Sequence, residues 1–478
     1  MRSTSMLRFF DKESALRLRR FAAGAFSTVA LAAALAFGAV WPASHAFADV
    51  YDTDVVAGKT VAQRGLSFEQ CPDITAAHAI AVNADGEVYF ERDADAPVKI
   101  ASLTKIMTAV VALENASLDT QVVVDAEAAT VGESSAGLLQ GDTMDLSTAL
   151  LALMVPSGND AGIAIAKSVG ALLVGADAGG SSGSVDGRAA YDAFIAAMNA
   201  KAAELGLSDT VYTNPHGLDF GAFEGEDCHS TARDVSTLVS YAMQNDEFRA
   251  LVDGGSTDIQ VTGADGSARS VHLQTTDELL GVYEGVCGVK TGTTDLAGYC
   301  FAGAVSRDAC ELYTVVLGAP DGESRFSDTT ALMDWAYANI ASHTLVNAET
   351  SVDYRGSSVP LAARVAHNGW VDAAVDATVS DPGLSIEVFG LRGPIEQSVT
   401  FESLDGDVRA GDVVGHIVYE QDGERVAETD LIAVADQPAP DALQRIGVAI
   451  DRFVREWQGD PTRAESVCLT APDAVYDR

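Results

Sequence analysis

A lysine set inside an apolar helix has to be housed, and that requirement constrains this chain more than any other feature. The stretch is Ala101-Ser102-Leu103-Thr104-Lys105-Ile106-Met107-Thr108-Ala109. Its pattern predicts the first turns of a buried helix running to about Asn115. Positions i and i+3 of a helix share a face, so Ser102 and Lys105 point into one site. A desolvated ammonium loses part of its preference for the charged state. The pair therefore has the make-up of a nucleophile beside a base, as serine acyl transfer needs. The spacing alone decides little, since Ser-x-x-Lys is common by chance.

Charge and cysteine usage narrow the setting. A formal net charge of −39 over 478 residues argues against a nucleic-acid partner, which needs a basic face, and against simple adhesion to anionic lipid. The length suits two or more domains. Residues 1–48 differ in kind: Arg2, Arg8, Arg17, Arg19 and Arg20 precede an apolar run over 21–40, and Ala46-Phe47-Ala48 follows. This predicts a secretory signal cleaved before Asp49, with an uncleaved anchor as the alternative. The expected location is the extracytoplasmic cell envelope. Cys71, Cys228, Cys287, Cys300, Cys310 and Cys468 all fall in the exported part, where disulfides are permitted. No Cys/His cluster has metal-ligand spacing, so neither a metal nor an organic cofactor is expected.

Along the chain, 49–72 reads as a flexible lead-in. Strands at 79–82 and 87–91 flank Asn83-Ala84-Asp85-Gly86, a hairpin signal. An apolar helix over 146–154 is stopped by Pro156, and a second runs from Ala161 to about Leu173. A Gly/Ser-rich loop spans 175–187, and 189–205 is again helical. Thr231 with Asp234 is an N-cap signature. Strands at 285–292, 298–306 and 311–318 have short connections and predict antiparallel pairing. A helix over about 327–340 closes this region. The fold class is α/β (α+β): an antiparallel sheet flanked by helices over 73–345, then a small C-terminal β domain over 350–436. An amphipathic helix over 438–458 carries Leu443, Ile446, Ile450, Phe453, Val454 and Trp457 on one face. A loose tail, 459–478, ends the chain.

Two further motifs give Ser102-x-x-Lys105 its weight. Ser157-Gly158-Asn159 lies between two apolar helices, where a loop can project a hydroxyl and an amide into a cleft. Lys290-Thr291-Gly292 lies near the end of a strand expected to be central or next to the edge. Singly these read as an ordinary turn, a surface lysine and a helix cap. Jointly they do not, because the chain holds only seven lysines and two of them fall in these motifs. Their order is that of Ser-x-x-Lys, Ser-x-Asn and Lys-Thr-Gly in penicillin-interacting serine enzymes.

With these motifs in place, residues from about 74 to 340 resemble the serine D-alanyl-D-alanine carboxypeptidases, the low-molecular-mass penicillin-binding proteins of the peptidase S11 family. The matching text includes Val155-Pro156-Ser157-Gly158-Asn159-Asp160-Ala161, Asn214-Pro215-His216-Gly217-Leu218, and Gly288-Val289-Lys290-Thr291-Gly292 with Ala297-Gly298-Tyr299-Cys300. The resemblance implies the penicillin-binding transpeptidase fold. It implies peptidoglycan stem peptides as substrate and β-lactams as acylating inhibitors. It implies Ser102 as nucleophile, Lys105 as base and Ser157 as proton relay. Asn159, Lys290, Thr291 and Gly292 would hold the substrate, and the N–H groups of Ser102 and Thr293 would form the oxyanion hole.

Several alternatives stand beside that reading. His216 either borders the site or is a structural turn residue. Cys228 and Cys287 are either a rim disulfide or buried thiols, and Cys300 reads as a core residue of its strand. A β-lactamase is the nearest rival; its Glu-x-x-x-Asn context is missing, since Glu204 is followed by Ser208. A non-catalytic peptidoglycan-binding envelope protein is the other. Residues 441–457 occupy the position of the family's membrane-anchoring tail but carry no net basic charge, so peripheral membrane contact and simple packing weigh equally.

Overall fold

The computed structural model describes residues 52–175, 187–307 and 310–474. The signal segment and most of the 175–187 loop lie outside the described residues. The chain divides into two compact units. In the smaller, 52–54 with 59–71, the helix Val61–Arg64 is closed by a reciprocal cap: Gln63 N–H donates to Thr60 Oγ1 at 3.1 Å and Thr60 N–H to Gln63 Oε1 at 2.9 Å. The expected flexible lead-in is thus locally ordered, because its polar residues cap their own short helix.

The larger unit holds 55–58 and everything from 72 onward. The hairpin forms from β1 (His78–Asn83) and β2 (Val88–Arg92). Helices follow: α1 (Thr104–Asn115), α2 (Leu146–Met154), α3 (Asn159–Leu173), α4 (Gly187–Glu204) and α5 (Ala232–Ala242). Thr231 caps α5, its side chain accepting from Asp234 N at 3.0 Å. Three long strands come next, β3 (Val286–Thr294), β4 (Gly298–Arg307) and β5 (Cys310–Ala319), then α6 (Ser324–Asn339). The sheet order is Val55–Val56, β2, β1, β5, β4, β3, antiparallel throughout. The strand bearing Lys290 is therefore the sheet's edge, not a central or penultimate strand. Its sequence reads as central because it is buried: the turn before α1 packs over Gly292, where an added Cβ would lie 2.9 Å from Ile100 O.

One apolar core runs from Ile80 to Leu317 and takes in α1, α2 and α3; a second runs from Leu345 to Ala433. The second is built on β6 (Ala374–Val379), β7 (Ile395–Phe401), β8 (Val413–Gln421) and β9 (Glu424–Ala433), in the order β7, β8, β9, β6. Tyr89 stacks on Phe389 at 4.6 Å and Arg392 pairs with Glu87 at 2.7 Å, joining the two cores.

One feature at the C-terminal end departs from expectation. The tail is not loose: Val467–Cys468 pairs with Ala363–Ala366, and Thr470–Ala471 pairs with Asn347–Ala348. These two-residue strands are too short to show a periodicity. The helix α7 (Ala442–Gln458) has no buried residue. Its apolar face is turned outward and its arginines inward. Arg452 donates to Asn368 O and Trp370 O at 2.6 and 2.9 Å, and Arg455 pairs with Asp372 at 2.6 Å. No helix among the described residues is long and apolar enough to cross a membrane.

Ending the chain after Gln458 removes both returning strands. Loss of this pairing is expected to cost about 2 kcal/mol and lower the β-domain transition by several degrees. Scanning calorimetry checks this, and an unmoved transition contradicts it.

Candidate active site

Ser102 is aimed by a strained turn. Ala101–Leu103 is one 3-10 turn leading into α1. Ala101 sits at φ 47°, a left-handed conformation that non-glycine residues adopt at a cost of about 1–3 kcal/mol. The turn is held from below by Gly217. A Cβ at Gly217 would lie 1.8 Å from Ala101 O, and its φ is +84°. Only glycine meets both conditions.

Lys105 is fully buried, and its Nζ lies 2.8 Å from Ser102 Oγ, 2.7 Å from Asn159 Oδ1 and 3.0 Å from His216 O. Among the described residues no carboxylate lies within ion-pair distance of this nitrogen. Burial pushes the ammonium well below its ordinary range, and the charge of Lys290 pushes it further; Asp160 opposes both. The neutral amine has two N–H donors and one lone pair. The oxygens of Asn159 and His216 can only accept, so they take the two N–H groups. The lone pair then faces the Ser102 hydroxyl, as a base must.

The second wall is the loop before α3. Ser157 lies at φ 64°, and its buried hydroxyl has no hydrogen-bond partner among the described residues. Asn159 is fixed by its N–H to Ser134 O at 2.8 Å and its Nδ2 to Gly132 O at 3.1 Å. Asp160, in the first turn of α3, accepts from Ser135 Oγ (2.6 Å), Ala136 N (3.0 Å), Leu138 N (3.1 Å) and Ala161 N (2.9 Å). A carboxylate at a helix N-terminus is well placed electrostatically, and this one ties the 132–138 loop to the motif.

The third wall is β3. Lys290 is buried, with its Nζ 3.0 Å from Thr291 O. Burial, then the neighbouring Arg325, lowers it to about 7, against the pull of Asp277. Thr291 Oγ1 lies 2.6 Å from Thr276 Oγ1. A Cβ on Gly292 would come within 3.2 Å of Ser102 N, so the strand runs directly beside the nucleophile's amide. Thr293 is exposed, and Arg325 Nη1 donates to its Oγ1 at 3.0 Å and to Gly292 O at 3.4 Å.

The three motifs named from the sequence thus meet around one cleft. His216 belongs to it through its carbonyl; its ring Nδ1 accepts from Leu218 N at 3.2 Å and its edge packs on Phe223. The Cys228–Cys287 disulfide does not form; both side chains are thiols. Cys228 is instead buried beside Thr104 Oγ1, at 4.0 Å. Cys300 is buried in β4. Glu204 ends α4, largely exposed and paired with Lys201 at 2.9 Å. Arg325, Asp160 and Asp277 were not legible as site residues. Arg325 lies 35 positions beyond Lys290 on a helix with no motif, and only the packing of α6 brings it to Thr293.

A half-buried serine beside a buried lysine, a second serine hydroxyl without a partner among the described residues and a cationic strand define a serine acyl-transfer enzyme of the penicillin-binding transpeptidase fold. The chain belongs to the peptidase S11 family, D-alanyl-D-alanine carboxypeptidase, whose model matches residues 66–321, and it is a hydrolase of that family. It is 32% identical to the D-alanyl-D-alanine carboxypeptidase of Streptomyces sp. strain K15, over 68% of this chain and 100% of the relative. It is 26% identical to the carboxypeptidase DacF of Bacillus subtilis, over 80% of this chain and 90% of the relative. The crystal structure of the Streptomyces K15 DD-transpeptidase superposes with a TM-score of 0.50 at 32% identity, covering 56% of this chain and 98% of that one.

Gly217→Ala is expected to displace the Ser102 turn and lower kcat/KM about 100-fold, with the unfolding transition retained; steady-state kinetics beside calorimetry checks this. Lys290→Met is expected to stabilise the fold by about 2 kcal/mol at pH 7 while abolishing activity. The folded-state value of Lys290 lies below its unfolded one, so the unfolded chain binds more protons between about pH 7 and 10. The lysine's penalty is full below that window and fades as pH rises through it. The variant's advantage should therefore shrink toward pH 10 in urea titrations.

Proposed function

We propose that the protein is an exported serine D-Ala-D-Ala carboxypeptidase that removes the terminal D-alanine from peptidoglycan stem pentapeptides. The observation that carries this is the Lys105 nitrogen, desolvated, without a carboxylate partner among the described residues and 2.8 Å from Ser102 Oγ. Ser102 Oγ attacks the carbonyl carbon of the penultimate D-alanine as its proton passes to Lys105 Nζ. The N–H groups of Ser102 and Thr293 receive the oxyanion, each worth roughly 3 kcal/mol. The C–N bond breaks, and the departing amine takes its proton through Ser157 Oγ, which has no hydrogen-bond partner among the described residues. Lys290, Thr291 and Arg325 hold the terminal carboxylate, while Asn159 orients the scissile amide. Gly292 lets the substrate backbone approach β3. Water then hydrolyses the Ser102 ester and restores the serine.

A penicillin would acylate the same serine. Glu204, exposed on α4, supplies no hydrolytic base at the cleft, so turnover of the penicilloyl ester should be slow and penicillin should inhibit. The outward apolar face of α7 favours peripheral contact with a lipid surface over internal packing, since its arginines are already engaged by the protein.

Purified protein should release D-alanine from a pentapeptide ending in D-Ala-D-Ala and gain the mass of one penicillin on Ser102. Ser102→Ala should lose both by at least about 1000-fold. Equal release by the two proteins defeats the mechanism, and rapid catalytic loss of benzylpenicillin would favour the β-lactamase.

A further inference from the structure

The segment entering β3 carries a buried carboxylate that the mechanism above does not use. Thr276 N–H donates to Val155 O at 3.3 Å and Thr276 Oγ1 meets Thr291 Oγ1 at 2.6 Å, so this segment is wedged between the Ser157 loop and the lysine-bearing strand. The next residue, Asp277, is 8% exposed. Its Oδ1 accepts from Leu279 N at 2.8 Å, while its Oδ2 is buried with no hydrogen-bond partner among the described residues. A buried carboxylate oxygen left unbonded is costly and calls for a nearby positive charge. Two are present. Lys290 and Arg325 both act on Asp277, each pulling it back toward the ionised form against burial. The other groups around these cations are Lys105 beside Lys290, and Glu278, Cys300 and Tyr299 beside Arg325.

We propose that Asp277 is a positioning residue for the substrate's terminal carboxylate, supplying a fixed counter-charge to Lys290 and Arg325 and thereby setting the enzyme's preference for a free carboxylate terminus. Two cations and one anion leave the empty pocket with a single positive charge, which one substrate carboxylate neutralises. Without Asp277, Lys290 faces Arg325 unopposed and gives up its proton at lower pH. The pocket then loses the charge that binds the substrate. This inference rests on the carboxypeptidase reading.

Asp277→Asn tests it, because the amide oxygen keeps the Leu279 N–H bond and only the charge is lost. D-alanine release from the pentapeptide is measured from pH 5.5 to 9.5, with wild type, Asp277→Asn and Asp277→Glu. The alkaline limb of kcat/KM should fall by roughly one pH unit in Asp277→Asn, giving about a tenfold loss above the limb, carried by KM. Near pH 6, kcat should be unchanged, and Asp277→Glu should restore the limb. If Asp277→Asn loses its cooperative thermal transition, Asp277→Ser carries the same measurement. An unmoved limb, or a loss confined to kcat, overturns the inference while wild type still releases D-alanine. Wild type without release or a Ser102 adduct would instead defeat the carboxypeptidase reading.

Discussion

The structure depends on how it keeps one amine dry and uncharged. Among the described residues, Lys105 Nζ is reached by three oxygens from three separate parts of the chain: Ser102 in the turn leading into its helix, Asn159 at the start of α3, and the His216 carbonyl in the 214–218 turn. None is a carboxylate, so no group in contact among the described residues compels the nitrogen to keep its proton. The geometry also chooses which partner faces the lone pair, because two of the three can only accept. A single buried atom thus couples the helical half of the catalytic core into one arrangement. The strain at Ala101 and Ser157 falls on the two residues that must aim their neighbours at that atom.

Much of this was written in the chain at short range. Helix α2 begins and ends where the apolar run and Pro156 put it, and α5 starts at Thr231 because that side chain caps it. The three motifs were legible because each is a local cluster of unusual residue types in a lysine-poor chain. What the residues could not disclose is settled by long-range packing. Gly217 needs its φ of +84° because the Ala101 carbonyl, over 100 positions away, sits against it. Arg325 and Asp277 enter the site only when α6 and the segment before β3 close on the sheet.

The edge position of β3 and the pairing of the tail share a physical explanation. Apolar periodicity reports burial, not the number of hydrogen-bonded neighbours. A strand covered by a catalytic turn is as apolar as a central one. Conversely, Val467–Cys468 and Thr470–Ala471 are held by backbone bonds, with little side-chain pattern to announce them. The cysteines show a similar separation of composition from structure. Six cysteines in a chain read as exported permitted cross-links, yet Cys228 is packed as a small apolar residue, as Cys300 is in its strand.

The inverted docking of α7 has a consequence for its response to ionic strength. The helix is fastened by Arg452 and Arg455 to carbonyls and a carboxylate of the β domain, while Leu443, Ile446, Ile450, Phe453 and Trp457 face outward. Added salt screens the exposed Arg455–Asp372 pair, whereas strongly hydrated salts reinforce the burial of apolar surface. A strongly hydrated salt therefore weakens the ionic fastening on one side of the helix while favouring the covering of its apolar face on the other.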